Sequence, residues 1–184
     1  MKTICFITHN KGKVKEFQEI LKGKAELIHK DMEYAEMRSD DPREIAKEAA
    51  ARLSKQLNKA VVVEYSGLFI TALKDFPGTC SAYIHKRIGL EGILKLMQGI
   101  NNRECFYRSA VGYGEAGKAV AFLGEEKGKI AEGIRGTNGF GHDPIFIPEG
   151  SAKTYGETDN LEKAKKFRRS AVEQLMEYLE KNKK

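Results

Sequence analysis

Residues 61–68 have the sequence Val61-Val62-Val63-Glu64-Tyr65-Ser66-Gly67-Leu68, a β-branched run that ends in polar groups. Branched side chains pack well on a pleated sheet, so the run predicts a buried strand. Ligand-binding groups of α/β proteins commonly lie at such strand ends. Glu64 is therefore a candidate metal ligand, and Ser66 a candidate phosphate contact. Tyr65 stands between them, where catalysis would more readily use a second carboxylate.

Composition limits the classes of protein to consider. The chain has 184 residues, of which 41% are hydrophobic, and carries a net charge of +6. This length predicts one domain over residues 1–184, built as two lobes. No apolar stretch approaches the roughly 20 residues of a membrane span, and the N-terminus lacks a signal-peptide pattern, so we expect a cytoplasmic protein. The positive charge suits an anionic ligand or nucleic acid.

The hydrophobic pattern predicts a mixed α/β fold. Strands are expected over residues 3–8 and 25–29, and helices over Lys11–Leu21, after the capping residue Asp41, and over residues 90–97. From residue 104 to 134 longer strands with turns at 114–117 and 124–128 indicate an antiparallel meander. The expected architecture is an elongated mixed β-sheet with flanking helices, in which two lobes surround a central cleft.

The segment that joins the first strand to the first helix is a candidate phosphate site. Free amides at a helix N-terminus bind phosphate, Thr8 and Asn10 add neutral donors, and Lys13 supplies positive charge. The spacing is not that of a P-loop. The alternative is a capped turn with solvated lysines.

Glu36 lies in a predicted loop and is a second candidate metal ligand. An isolated loop glutamate is usually only solvated. It gains a function if the fold brings it near Glu64, since Mg²⁺ typically takes one or two carboxylates together with substrate phosphates.

A glycine-rich segment at residues 136–146 is a candidate base-binding loop. Phe140, between Gly139 and Gly141, is placed to stack on a base, and Asp143 to accept a hydrogen bond from a base or ribose. The alternative is a glycine-rich hairpin with Phe140 in the core. His142 alone is more typical of a surface histidine than of a ligand.

The last predicted helix places an arginine on its apolar face. Arg168 falls near the middle of the stripe, whereas Lys163 and Arg169 lie off it. Because an unpaired buried arginine is costly, either the helix begins near Arg168 or its guanidinium points into a cleft that holds an anion. A snorkelling arginine is the third possibility. The stripe consists of Ala164, Phe167, Ala171, Leu175 and Leu179.

Taken together, these segments resemble the inosine/xanthosine triphosphate pyrophosphatase family, enzymes that remove noncanonical purine nucleotides. The family's Thr-x-Asn-x-x-Lys matches Thr8 to Lys13, its acidic loop residue matches Glu36, and its acid-Asp-Ser-Gly-Leu matches Glu64 to Leu68. Its Phe-Pro-Gly turn matches Phe76 to Gly78, and its base loop matches Gly139 to Pro144. The matches follow in order over nearly the whole chain.

The resemblance implies Mg²⁺-dependent hydrolysis of ITP, dITP or XTP to the monophosphate and pyrophosphate, in a homodimer. It assigns the triphosphate to Thr8, Asn10, Lys13 and Ser66 and the metal to Glu36, and Glu64 remains a second candidate metal ligand. It places Phe140 on the purine and Asp143 at the keto edge of the base, beside Lys163 and Arg169. Further candidate substrate-binding residues are Gly141, His142 and Arg168.

Several positions depart from the family pattern. Tyr65 replaces the aspartate that helps to hold the metal and accepts a proton, and a phenol with a pKa near 10 is a poor substitute for either role. Glu64 and Glu36 are the candidate replacements. Arg168 stands where the family has histidine, and His142 where it has tyrosine. A reduced catalytic rate is therefore expected.

Two alternatives to an active pyrophosphatase remain open at this point. The first is an impaired member of the family that binds purine nucleotides without hydrolysing them. A nucleic-acid-binding protein ranks last, since the aromatic residues are not interleaved with the basic ones as single-strand binders require.

Overall fold

A mixed β-sheet organises the part of the chain that the structure, a computed structural model, describes, residues 2–182. Its strand order is β2-β1-β3-β5-β6-β7, and β4 pairs with β3. β1 runs parallel to β2 and β3, whereas the remaining pairs are antiparallel. The strands are β1 Lys2–Ile7, β2 Ala25–Lys30, β3 Val61–Ile70, β4 Phe76–Gly78, β5 Glu104–Glu115, β6 Lys118–Ile130 and β7 Phe146–Pro148. The predicted mixed α/β sheet with flanking helices is confirmed.

The helix predicted after the capping residue Asp41 begins there, and the predicted first helix is also confirmed. The helices are α1 Lys11–Leu21, α2 Pro42–Leu57, α3 Ser81–Leu96, α4 Leu161–Ala164 and α5 Lys166–Lys181. The side chains of Asn10 and Asp41 accept hydrogen bonds from the first turns of α1 and α2. The third helix is longer than expected and is kinked at Gly89, which has a φ of 65°. None of the described helices is long and apolar enough to span a bilayer.

The two faces of the sheet are covered by different helices. On one face α1 and α5 pack on β1, and Phe6 stacks on Phe17 with ring centroids 4.0 Å apart. On the other face the small residues of α2 pack against Val61 and Val63. A Cβ added to Gly112 would lie 2.3 Å from the Ala46 carbonyl oxygen, so glycine here allows α2 to approach the sheet.

The expected turn at residues 124–128 is wrong, because these residues continue β6. The glycines have a packing role instead. A Cβ on Gly124 would lie 1.9 Å from the Phe167 carbonyl oxygen, and one on Gly128 would lie 2.5 Å from the Ile147 carbonyl oxygen. Glycine in a strand often marks close backbone approach rather than a turn, and here it brings α5 against the sheet.

Candidate active site

A cavity of about 280 Å³ lies between the start of α1, the middle of β3, α3, the base loop and the junction of α4 with α5. The structure brings many of the predicted residues into its wall. They are Asn10, Lys13, Ser66, Phe140, Gly141, His142, Asp143 and Arg168. The strand β3 continues through Ser66 to Ile70, so the expected strand end at these polar groups is wrong.

The strand β3 directs its polar side chains to opposite faces of the sheet. Glu64 points to the α1 and α5 face and its side chain is 0% exposed, whereas Tyr65 points to the α2 face. One carboxylate oxygen of Glu64 accepts hydrogen bonds from Ser109 Oγ at 2.6 Å and Arg168 Nε at 3.1 Å. The other lies 2.7 Å from Lys13 Nζ. Burial opposes the charge, but Arg168 and Lys13 outweigh it and lower the pKa of Glu64 to about 2.

Of the three interpretations of Arg168, the snorkelling arginine is wrong, because the side chain is buried. The helical run is interrupted at Lys165, and the Arg168 side chain is 1% exposed and points inward. Its Nη1 pairs with Glu16, its Nε donates to Glu64, and its Nη2 donates to Ser66 Oγ at 3.1 Å. Two buried carboxylates therefore compensate the charge of this guanidinium, which also lies at the cavity wall.

Two residues of the site, Lys165 and Glu16, are not among those predicted from the sequence. Lys165 is 2% exposed, and its Nζ lies 2.8 Å from both Glu16 Oε1 and Asp143 Oδ2. It also lies 4.2 Å from the centre of the Phe140 ring. The helical periodicity could not place Lys165, because the helix breaks at that residue. Glu16 had one signal, since it lies one turn after Lys13 on α1.

Six side chains thus form a continuous series, hereafter the ion-pair network. Its order is Lys13, Glu64, Arg168, Glu16, Lys165 and Asp143. Three cations alternate with three carboxylates, so the network is electrically neutral, and every member except Lys13 is nearly inaccessible to solvent. Buried charges of this kind persist only when they are paired.

The base loop is shaped by Asp143 and by Gly12. Asp143 Oδ2 accepts a hydrogen bond from the Phe140 amide at 2.7 Å, and Oδ1 accepts one from Tyr107 at 3.3 Å. A Cβ on Gly12 would lie 2.6 Å from the Phe140 ring. Phe140 is half-buried and lines the cavity, so the hairpin alternative with Phe140 in the core is wrong.

His142 is buried, contrary to the expected surface histidine. Only 3% of it is exposed, and Nε2 has no hydrogen-bond partner among residues 2–182. Burial, and secondly the charge of His85, lower the pKa of His142 to about 3. The edge of its ring meets His85, with centroids 5.1 Å apart. The imidazole of His142 is therefore neutral, and the residue belongs to the wall of the cavity.

Three of the predicted substrate-binding residues do not line this cavity. Thr8 is buried and its Oγ accepts a hydrogen bond from the Asn10 amide, so it shapes the turn before α1. Lys163 has a 66% exposed side chain, with its ammonium 3.9 Å from Glu19. Arg169 is half-buried and is not among the lining residues.

Tyr65 and Glu36 line a second cavity of about 600 Å³, which shares Ala82 with the first. The Tyr65 hydroxyl donates to the Thr79 carbonyl at 2.6 Å. Burial, followed by the Glu36 charge, raises the pKa of Tyr65 to about 12. The pKa of Glu36 is also raised, because partial burial and the charge of Glu64 outweigh Lys13.

These donors do not fit a metal ion held by the protein alone. Residues 2–182 contain no group of three or more acidic, histidine or cysteine side chains suited to a metal. The charge of Glu64 is already compensated by two cations, and Tyr65 is a neutral phenol. Glu36 is the remaining exposed carboxylate of the expected set.

Comparison with known proteins agrees with the resemblance. Residues 4–178 match the Ham1 family. A dITP/XTP pyrophosphatase of Methanopyrus kandleri is 46% identical over 182 residues, covering 97% of both chains, and one of Pyrococcus horikoshii is 42% identical over 181 residues, with the same coverage. The structure of the Staphylococcus aureus Ham1 protein has a TM-score of 0.82 and 29% identity, covering 99% of this chain and 100% of that one. The resemblance seen in the sequence is thus confirmed, and the chain belongs to the Ham1 family.

Proposed function

We propose that the chain hydrolyses noncanonical purine nucleoside triphosphates of the ITP, dITP and XTP type, releasing the monophosphate and pyrophosphate. The observation that carries the proposal is the cavity, whose wall contains an aromatic ring, two lysines, a hydroxyl and an arginine. Its relatives from Methanopyrus kandleri and Pyrococcus horikoshii bear the name dITP/XTP pyrophosphatase.

The end of the cavity near Phe140 suits a purine with a keto group. The ring offers a stacking surface, and Lys165 lies beside it. A lysine ammonium has three donors, of which Glu16 and Asp143 use two. The third is available to the oxygen at C6 of hypoxanthine or xanthine. Adenine presents an amino group at this position, so two donors would face each other.

The same cavity also suits phosphates. Lys13 and Arg168 supply positive charge, and the polar side chains of Asn10 and Ser66 supply hydrogen-bond donors. The Ham1 family typically uses a divalent metal. We propose that Mg²⁺ enters as part of the substrate, bound to the triphosphate.

Among the acidic and phenolic groups of this region, Glu36 is the best proton acceptor for the attacking water. Its pKa is raised, and it is exposed to solvent. Glu64 is a weak base because its pKa is about 2, and it is fully buried. Tyr65 remains protonated at neutral pH and has already committed its hydroxyl to Thr79.

The replacement at Tyr65 supports a second function, nucleotide binding without turnover. An assay of products separates the two. The purified chain is incubated with dITP and, separately, XTP in Mg²⁺ buffer, and pyrophosphate and monophosphate are quantified. Release of pyrophosphate and monophosphate in equal amounts supports the proposed hydrolysis. Binding of dITP without any release refutes the proposed hydrolysis and supports the impaired member.

Two properties implied by the resemblance are proposed with the function, a homodimer and a cytoplasmic location. Sedimentation equilibrium of the full chain tests the first. A mass of one chain at all concentrations would contradict it.

A further inference from the structure

The negative charge of the Glu64 carboxylate is already compensated by neighbouring side chains, as a bound metal ion would compensate it. One oxygen accepts two hydrogen bonds, from Ser109 and Arg168, and the other lies 2.7 Å from the Lys13 ammonium. Two positive charges therefore act on a single negative group whose side chain is 0% exposed. A divalent ion at the same carboxylate would be placed next to both cations, and like charges at such distances repel strongly.

The cations are fixed in position by the rest of the ion-pair network. Glu16 holds Nη1 of Arg168 and also Nζ of Lys165, so the guanidinium is clamped between Glu16 and Glu64. The remaining nitrogen, Nη2, extends to Ser66 at the cavity wall. Lys13 is the most accessible member of the network, with 17% of its side chain exposed, and it lines the same cavity. Fixed cations of this kind bind phosphates without first having to be ordered.

We propose that Lys13 and Arg168 are the protein's own counter-ions for the polyphosphate, and that Glu64 positions them rather than binding metal. Nucleotide binding by this chain is consequently independent of divalent metal. The inference rests on the proposed function only in that a nucleoside triphosphate is the ligand of this cavity.

The test is the affinity for ITP measured by calorimetry in two buffers, one with Mg²⁺ and one with EDTA. The expected dissociation constants agree within about threefold, a difference well below one tenfold step in affinity. Binding in Mg²⁺ that weakens by roughly a hundredfold or more in EDTA would overturn the proposal. Absence of binding in both buffers would overturn it together with the proposed function.

Variants at Arg168 identify the source of the effect. Arg168→Lys keeps a cation, and metal-free binding is expected to fall less than about tenfold. Arg168→His introduces the residue of the family pattern, and metal-free binding is expected to fall by more than that while binding in Mg²⁺ is better retained. Equal losses in both buffers for both variants would contradict the assignment. Circular dichroism of each variant identifies a loss of fold.

The product assay distinguishes failure of this inference from failure of the proposed function. Metal-free binding of ITP without pyrophosphate release in Mg²⁺ supports the built-in counter-ions and refutes hydrolysis. Pyrophosphate release in Mg²⁺ with no binding in EDTA supports hydrolysis and overturns the inference.

Discussion

Removal of the Arg168 guanidinium is expected to destabilise the chain strongly. In Arg168→Met the carboxylates of Glu16 and Glu64 lose their shared partner while remaining buried, with side chains 7% and 0% exposed. Removing one partner of a buried ion pair typically costs about 3–5 kcal/mol, because an uncompensated charge is left behind. For a chain of this size that corresponds to a fall in Tm of roughly 6–20 °C.

The measurement is the free energy of unfolding from urea titration at pH 7, with thermal melts as a second readout. Arg43→Met is the matched control, because Arg43 pairs with Asp41 at the surface, where the two side chains are 56% and 34% exposed. An exposed pair contributes about 0–1 kcal/mol, so the control is expected to stay close to the parent chain.

A double variant checks that charge is the cause. Adding Glu64→Gln to Arg168→Met removes one of the carboxylates that lost Arg168 as a partner, so the double variant is expected to recover part of the lost stability. A loss of stability in Arg168→Met no larger than that in Arg43→Met would refute the stabilising role of the buried ion pairs. The same role is refuted if the effects of Glu64→Gln and Arg168→Met on the free energy of unfolding simply add in the double variant, since the two residues would then be energetically independent.

Three further predictions concern His142, Tyr65 and Gly124. The pKa of His142 falls from its ordinary 6.5 to about 3 in the folded chain, so the unfolded chain binds the proton more tightly and stability is lost as pH falls below 6.5. His142→Phe removes this loss, worth about 2 kcal/mol between pH 7 and pH 5, and urea titrations that show the same acid loss in both chains would contradict it. Tyr65→Asp restores a carboxylate and is expected to raise kcat by at least about tenfold; an unchanged or lower kcat excludes Tyr65 as the limiting group. Gly124→Ala forces a Cβ to within 1.9 Å of the Phe167 carbonyl oxygen and should destabilise by roughly 1–3 kcal/mol. The control Gly133→Ala meets nothing within 4 Å, and equal stability of the two variants would contradict this packing role.

The fold was largely predictable because its signals are local. The β-branched run that begins at Val61 forms the first part of the long central strand, and Asn10 and Asp41 cap their helices. The errors lie where tertiary contacts decide. The glycines at 124 and 128 are typical of a turn in the sequence. In the fold, Gly124 instead leaves room for the backbone of α5, which lies far away in sequence.

The site was predictable only where a motif marked it. Ser66, Phe140 and Asp143 are recognisable from their neighbours in sequence, and all three line the cavity. Lys165 and Glu16 are 149 positions apart, so no local pattern connects the two members of this ion pair. The partners of a buried charge come from distant elements, so periodicity indicates that Arg168 needs an anion without indicating which one.

The central claim is that this cavity selects keto-purine triphosphates and cleaves them to pyrophosphate. The most direct measurement compares kcat/KM for dITP and for dATP in Mg²⁺ buffer. The reaction of the unchanged chain is monitored by the release of pyrophosphate. A site built around a hydrogen bond to the base rejects the wrong base strongly, so we predict a preference for dITP of at least about 100-fold. Equal kcat/KM for dITP and dATP, or release of orthophosphate in place of pyrophosphate, would contradict the account.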